Sequence, residues 1–366
     1  MSEKGGTAGE RHQAWNDHGR AEHLLAAACS SAGEEPSPTQ PPASDPVVIQ
    51  LGTGDSRGRP DTPVVERFAE AVEEVSDGGM RVEVVWEAGG DSSDPDGFEK
   101  GVVGLVQDGE LDLGWIAARA WDTVGVTSLQ ALQAPFLITD HGLLTEVLAS
   151  PMADEMIAGL DGVGLVGLGL FPDGMRYPLG YTAPMTSLED FDGADIRLVP
   201  SEATDALVRA LWGRPVYGLS GDSLDAAIAN GDVDGTEVSL GLAASIAPEG
   251  SVVTGNVVLF PRINALFAGQ DLMASLSDEQ QAILAAAAKE AHAFATSATT
   301  EDFGAFCQAG GEVAIASEAE VAALQRAAEP VYRMFEADPQ TKAFIDEIQE
   351  LKEGQTVADV PSCSAN

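Results

Sequence analysis

The sequence has few basic side chains: 19 Lys and Arg stand against 59 Asp and Glu, and the formal net charge is −40. Nucleic acids and anionic lipid surfaces are bound through basic surface, so this charge disfavours both as partners. It indicates a heavily hydrated acidic surface, with an acidic patch for a basic partner as the alternative. A site for an anionic ligand would need arginines placed locally against the repulsive field.

Cysteine and histidine are also scarce. Cys29, Cys307 and Cys363 show neither a CxxC motif nor another metal-ligand spacing. His141 and His292 stand alone, without a neighbouring ligand or nucleophile motif, and the other histidines lie in the N-terminal tail. A metal enzyme or a His-based triad is therefore poorly supported, and we expect no cofactor. Whether Cys307 pairs with Cys363, as an exported protein would allow, is left open by the sequence.

Long apolar runs are missing, so the sequence predicts no membrane span. Residues 1–45 form a predicted disordered tail that includes "HLLAAACSSAGEEPSPTQPPASDP". The small residues before Cys29 and the Ser/Gly/Glu/Pro-rich stretch after it resemble the end of a bacterial lipoprotein signal, in which the Cys is lipidated. The apolar run is shorter than usual, and Ala26 stands where Leu is common. A lipid anchor at Cys29 and a plain tail both remain open.

From residue 46 onward, apolar runs alternate with amphipathic segments. Residues 47–51 read as a buried strand, 62–76 as a helix and 81–86 as a second strand. The alternation continues, with strands predicted over 162–171 and 175–181, and it predicts an α/β fold with a parallel or mixed sheet covered by helices. Two such blocks joined by several crossings would leave a cleft, where ligands bind at the carboxyl ends of strands.

The last third of the sequence is predicted to be helical. Ser277 to Gln280 has the form of a capping box and opens an Ala-rich helix that we expect to run towards Ala309. Ser317 to Glu320 repeats the device and opens a helix to about Ala337.

One arginine stands out in "SLEDFDGADIRLVPS", residues 187–201. On a strand, successive side chains point to opposite faces, so Ile196 and Leu198 face one way and Arg197 the other. A guanidinium presents a planar fork of donors that matches a carboxylate and keeps its charge. Arg197 is therefore a candidate for anion binding, with an ion pair to Asp192 or Asp195, or simple exposure to solvent, as the structural alternatives.

Further stretches, taken with this one, resemble in order and spacing the solute receptors of TRAP (tripartite ATP-independent periplasmic) transporters, the DctP-like family. The resemblance covers roughly residues 46–300. It rests on "VVERFAEAVEEVSDGGMRVEVVWEAG", on "GLVQDGELDLGWIAARAW" with "LQAPFLI" after it, on "GMRYPLG" leading to "DFDGADIRLVPS", and on "LDAAIANGDVDGTEVSL".

The resemblance implies a two-lobed periplasmic-binding-protein (Venus-flytrap) fold with a long helix spanning both lobes. We expect the segments of the chain to be the tail 1–45, lobe I at 46–170 and 256–300, lobe II at 171–255 and 310–335, the spanning helix at 277–309, and a C-terminal helix and tail at 338–366.

The resemblance also implies a function. Such a receptor is extracytoplasmic, lies in the periplasm or on the outer face of the cytoplasmic membrane, and hands a small organic acid to the small and large subunits of a TRAP permease. We expect a monomer that performs no chemistry. A ligand sensor for a signalling partner, and an enzyme on the same scaffold, are the alternatives.

The family's most dependable contact, an arginine that forks the substrate carboxylate, corresponds to Arg197, and Arg176 matches a second, assisting arginine. Glu237 corresponds to an acidic position near the pocket, and Val238 stands where many members carry a ligand-contacting Asn. Arg262 is interpreted as an interlobe or structural residue. The remaining ligand-binding candidates, chosen for their places near predicted cleft edges or crossings, are Arg57, Arg59, Arg119, Phe171, Asp173 and Trp212.

Overall fold

The computed structural model describes residues 45–90, 93–94, 97–299, 302–353 and 363. Cys29 and the anchor predicted there lie outside this range. Within it, the strands are β1 (Val47–Thr53), β2 (Met80–Val85), β3 (Leu113–Ala117), β4 (Leu165–Gly180), β5 (Asp195–Arg197), β6 (Arg214–Val216), β7 (Gly235–Val238), β8 (Val252–Thr254), β9 (Phe260–Gly269) and β10 (Glu312–Ala314).

Helices cover the sheet and form most of the C-terminal third. They are α1 (Thr62–Val75), α2 (Phe98–Gln107), α3 (His141–Ala149), α4 (Pro151–Ala158), α5 (Leu188–Phe191), α6 (Glu202–Ala210), α7 (Gly221–Asn230), α8 (Leu240–Ile246), α9 (Gln270–Ser275), α10 (Asp278–Ala298), α11 (Phe303–Gln308), α12 (Glu318–Ala327), α13 (Glu329–Phe335) and α14 (Pro339–Lys352), with 3-10 turns at Ala118–Val124, Gln130–Gln133 and Gly159–Val163. None of the helices described is long and apolar enough to cross a membrane.

The sheet runs in the order β2-β1-β3-β9-β4-β7-β5-β6, and β8 pairs with both β4 and β10. Strands β1, β2 and β3 are parallel, as are β5, β6 and β7, whereas β4 and β9 are antiparallel to each other. The first half of β4 therefore belongs with β1–β3 and the second half with β5–β8. The result is the predicted two-lobed α/β fold, with β4 and β9 crossing between the lobes. The residue boundaries expected for the lobes stay predictions.

The two strands expected at 162–171 and 175–181 are a single strand of 16 residues, β4. Its pairing with β9 shifts register between Pro172 and Met175. A Pro and a Gly at such an irregularity predict that the strand ends. The β-bulge instead lets the hydrogen-bonded pairing resume beyond it.

The alanine-rich helix α10 begins at the predicted capping box, where Ser277 accepts from the Gln280 backbone N–H. Its buried alanines, with Leu284, pack against α1 and β4. It ends at Ala298 instead of running to Ala309, and Thr299 there donates to the Pro172 carbonyl at 3.2 Å. The chain then enters α11, which packs on α8 in the second lobe, so the long helix leads from one lobe to the other.

The helix predicted from Ser317 to Ala337 is also divided. Its capping box forms as expected, but α12 ends at Ala327 and α13 begins at Glu329. Pro330 lies in the first turn of α13, where its missing N–H costs no intrahelical bond.

Cys307 in α11 and Cys363 form a disulfide, with their Cα atoms 5.6 Å apart. The bond ties residue 363 to the second lobe across a sequence separation of 56 residues. Stable disulfides of this kind occur mainly in exported proteins.

Replacing Cys363 with Ser should lower the free energy of unfolding by about 2–4 kcal/mol, because the bond restricts the unfolded chain over a long loop. Urea unfolding under non-reducing conditions measures the change, and Cys29→Ser is the control that should leave it unaltered. Equal stability of Cys363→Ser and wild type, or a peptide map that pairs Cys29 with either other cysteine, would contradict the assignment.

Candidate ligand-binding site

A cavity of about 400 Å³ lies between the two lobes. The loops after β1, β2 and β3 line it from the first lobe, and the segments after β5 and β6 line it from the second, so the carboxyl ends of parallel strands meet there as predicted. The lining residues are Gly54, Asp55, Ser56, Arg59, Glu87, Gly90, Phe98, Arg119, Arg176, Tyr181, Arg197, Val199, Ser220, Gly221, Leu224, Thr236, Glu237, Val238, Leu242, Ile246 and Arg262.

Arg197 lies half-buried on the cavity side of β5, whereas Ile196 and Leu198 are buried in the core, as strand alternation predicts. Its Nε and Nη2 both donate to the Leu219 carbonyl, at 3.1 and 3.0 Å. Among the described residues, no carboxylate lies within ion-pair distance of it, so the alternative partners Asp192 and Asp195 are not used; Asp195 pairs instead with Arg214. Burial lowers the pKa of Arg197.

Two hydroxyl side chains stand beside Arg197. Thr236 on the neighbouring strand β7 donates through Oγ1 to the Arg197 carbonyl at 2.9 Å and so fixes the register of β5. Tyr181 also lines the cavity, and burial raises its pKa to about 12, so the phenol stays protonated and able to donate.

Arg176 is buried on β4 and pairs with Glu237, with Nε 3.0 Å from Oε2. The sequence pointed to both residues separately, and the antiparallel pairing of β4 with β7 brings them together. Burial lowers the pKa of Arg176 to about 10, which leaves it charged at neutral pH.

Arg119 follows β3, and its Nη2 lies 2.7 Å from the Glu99 Oε2 atom. The same 3-10 turn contacts the second lobe just beyond β5: Arg119 donates to the Pro200 carbonyl, and Asp122 accepts from the Ser201 hydroxyl at 2.9 Å. Because Ser201 caps α6, these contacts hold the start of that helix against the first lobe.

Arg262 on β9 is the centre of a buried ionic cluster. Its Nη2 lies 2.6 Å from Asp55 Oδ2, and its Nε lies 2.9 Å from Asp173 Oδ2 on the other crossing strand. Asp61 lies farther away, at 3.9 Å from Nη2, and accepts from Trp115 Nε1 at 3.1 Å. The cluster joins the loop after β1 to both crossing strands at the back of the cavity.

The pKa values in this cluster move apart. Burial lowers the pKa of Arg262, but the facing carboxylates outweigh it and raise the pKa well above its ordinary value. Burial raises the pKa of Asp55, yet Arg262 and Arg59 outweigh it and lower the pKa overall. For Asp61, burial reinforced by the Asp55 charge prevails and raises the pKa to about 7. Burial likewise raises the pKa of Asp173.

The cavity includes six of the ten residues predicted to bind ligand: Arg59, Arg119, Arg176, Arg197, Glu237 and Val238. Their contact with a ligand remains a prediction.

The other four predicted residues lie elsewhere. Arg57 points to solvent and pairs with Glu66 of α1. Phe171 is buried in the core against Trp115. Trp212, 54% exposed, follows α6 away from the lining. Asp173 is engaged by Arg262 and does not line the cavity.

Several residues that line the cavity were not predicted from the sequence. Arg262 was interpreted as an interlobe or structural residue and was not predicted to bind ligand. Leu242 and Ile246 were missed because α8 was not predicted, although their spacing of four residues places them on one helical face. Ser220 and Gly221 follow β6, so the carboxyl-end rule already pointed to them.

A cleft between two lobes joined by crossing strands, lined by arginines, defines a two-lobed ligand-binding protein. The family of bacterial extracellular solute-binding proteins, family 7 (DctP), matches residues 51–338, and the chain belongs to it. This is a family of periplasmic receptors that bind small organic acids and work with TRAP permeases; it is not a family of enzymes. The resemblance stated from the sequence motifs is confirmed.

Solved structures show the same fold. A TRAP periplasmic solute-binding protein from Ochrobactrum anthropi, with its C-terminus bound in the ligand-binding pocket, is 24% identical with a TM-score of 0.71, over 84% of this chain and 95% of that one. One from Xanthobacter autotrophicus with bound β-D-galacturonate is 22% identical (TM-score 0.71; 82% and 99%). One from Shewanella oneidensis with bound succinate is 17% identical (TM-score 0.71; 84% and 100%).

A curated relative, the uncharacterized protein y4mM of Sinorhizobium fredii, is 27% identical over 196 residues. The match covers 54% of this chain and 35% of that protein's length.

Asp61 should make the protein less stable as the pH rises from about 4 to 7. Its pKa is near 7 when folded and about 3.9 when unfolded, so in this window the folded state holds a proton that the unfolded state has lost. Asp61 then contributes a fall in the free energy of unfolding of at most about 1.4 kcal/mol per pH unit.

Urea unfolding between pH 4.5 and 7.5 should therefore show a flatter pH profile for Asp61→Asn than for wild type. The exposed Asp154 supplies the control, since Asp154→Asn should reproduce the wild-type profile. Parallel profiles for Asp61→Asn and wild type would show that Asp61 ionises normally.

Proposed function

We propose that this protein is the receptor of a TRAP-type importer and captures a small carboxylate-containing organic acid between its lobes, with Arg197 as the principal clamp. The observation that carries the proposal is the state of Arg197. The other buried arginines of the cavity already face carboxylates: Arg176 pairs with Glu237, Arg119 with Glu99, and Arg262 with Asp55 and Asp173.

The geometry of Arg197 supports this role. The Leu219 carbonyl accepts from Nε and Nη2 and fixes the plane of the guanidinium. The Nη1 hydrogens and one on Nη2 remain for a ligand oxygen, so the terminal edge can donate twice to a carboxylate. A ligand carboxylate would compensate a charge that the fold leaves half-desolvated and unpaired.

The two lobes have different tasks in this proposal. Arg197 holds the carboxylate from the second lobe, and Arg176 on the crossing strand assists with its positive charge while it stays paired with Glu237. The loop with Ser56 and Arg59 meets the ligand from the first lobe. Closure of the lobes around the ligand would create the surface that the permease subunits recognise. The receptor acts as a monomer in the periplasm, and the acid leaves chemically unchanged. The galacturonate and succinate bound in related structures support an acidic ligand.

Replacing Arg197 with Ala should weaken binding of the cognate acid by roughly 30- to 5,000-fold, which corresponds to 2–5 kcal/mol for losing one partner of a desolvated charge pair. A thermal-shift screen of organic acids identifies the ligand, because binding raises the melting temperature by mass action. Titration calorimetry then compares the variants.

Arg214→Ala is the matched control, since Arg214 lies on the adjacent strand β6, is exposed and does not line the cavity. It should bind like wild type. Unchanged affinity of Arg197→Ala would show that Arg197 does not clamp the carboxylate. A neutral or cationic ligand would overturn the proposal that the cavity binds an organic acid.

A further inference from the structure

One wall of the cavity is aliphatic. Its residues come from four neighbouring elements of the second lobe: Val199 after β5, Leu224 on α7, Val238 on β7, and Leu242 and Ile246 on α8. Arg197 and Val199 are two residues apart on an extended segment and both line the cavity. The anion-binding edge and the apolar wall are therefore adjacent.

Ile246 shows that this wall is not simply part of the core. It is 55% exposed, although its neighbour one turn earlier, Leu242, is buried. A large aliphatic side chain gains nothing from facing water, whereas a ligand that covers it gains about 25 cal/mol for each Å² removed from solvent. Its place at the cavity lining makes a ligand body the natural cover.

Two polar side chains near this wall, Thr236 and Glu237, already have partners. The Thr236 hydroxyl donates to the Arg197 carbonyl, and Glu237 faces Arg176. A ligand with several hydroxyl groups on this side would lose hydrogen bonds to water without replacement, which is costly for buried polar groups. Burying a second carboxylate against the aliphatic wall would cost even more desolvation free energy.

We infer that the ligand is a monocarboxylate with a compact apolar body, branched aliphatic or aromatic, whose carboxylate meets Arg197 and whose body covers Val238, Leu242 and Ile246. This inference rests on the proposed function and narrows it to one chemical class of acid.

Titration calorimetry with 4-methylpentanoate, phenylacetate, succinate and D-galacturonate tests the inference. At least one of the two apolar acids should bind 10-fold or more tightly than both polar acids. Ile246→Ser should weaken that binding by roughly 3- to 10-fold, as expected for losing part of a buried aliphatic contact. It should also make the heat-capacity change of binding less negative, because less apolar surface is buried.

Ile315→Ser is the matched control: Ile315 is 53% exposed in the same lobe but does not line the cavity, so this variant should bind like wild type. Both changes are at exposed positions, and thermal unfolding should confirm that the two variants fold alike. Val238→Thr, which exchanges a methyl for a hydroxyl at similar volume, should also weaken the apolar acid.

Tighter binding of succinate or galacturonate than of both apolar acids would overturn the inference and leave the receptor function standing if Arg197→Ala abolishes that binding. Equal effects of Ile246→Ser and Ile315→Ser would overturn it as well. Failure of every carboxylate in the wider screen would overturn the proposed function together with it.

Discussion

The antiparallel pairing of β4 with β9 holds the two lobes together and positions the loops of the cavity. These two strands carry the sheet from one lobe into the other, and their register shifts between Pro172 and Met175, where the lobes meet. Arg262 of β9 faces Asp173 of β4 at this point and reaches Asp55 in the loop after β1. A single buried guanidinium thus fixes the back of the cavity, and the loops that line it project from a common frame.

The electrostatics of the cavity follow from the cost of burying charge. In a chain with a net charge of −40, five of the 14 arginines line this cavity. A buried arginine without a partner is expensive, and the fold supplies carboxylates to Arg119, Arg176 and Arg262. Among the residues that the structure describes, Arg197 has a carbonyl acceptor and no carboxylate partner. Carboxylates of the protein therefore compensate three of these charges, whereas Arg197 keeps the donors that the proposed ligand would use.

The pKa values of two acidic residues in the same region shift in opposite directions. Burial raises the pKa of both carboxyl groups. At Asp55 the nearby Arg262 and Arg59 outweigh burial and the pKa falls, whereas at Asp61, farther from Arg262, burial prevails and the pKa rises to about 7. The two side chains come from one short loop, so their difference arises from position and burial and not from residue type.

Much of the fold was readable from local patterns. Helix α1 lies where the sequence predicts it, and the capping boxes at Ser277 and Ser317 form as expected, because hydrophobic period and capping chemistry act within a few residues. Helix α8 was missed because its seven residues are too few to show a period clearly. The predicted break within β4 is wrong because a β-bulge preserves the pairing with β9, which local sequence signals do not reveal.

Local sequence patterns and composition predict the class of fold, the acidic surface, the alternation that turns Arg197 away from the core, and the family motifs around it. The three-dimensional arrangement decides which arginines pair with carboxylates, because Arg176 meets Glu237, and Arg262 meets Asp55, across long stretches of chain. It also decided that Trp212 and Arg57 stand outside the cavity, and that Ile246 stands at it. The physical reason is that strand period and capping are local properties, whereas charge pairing and burial depend on which distant segments the sheet brings together.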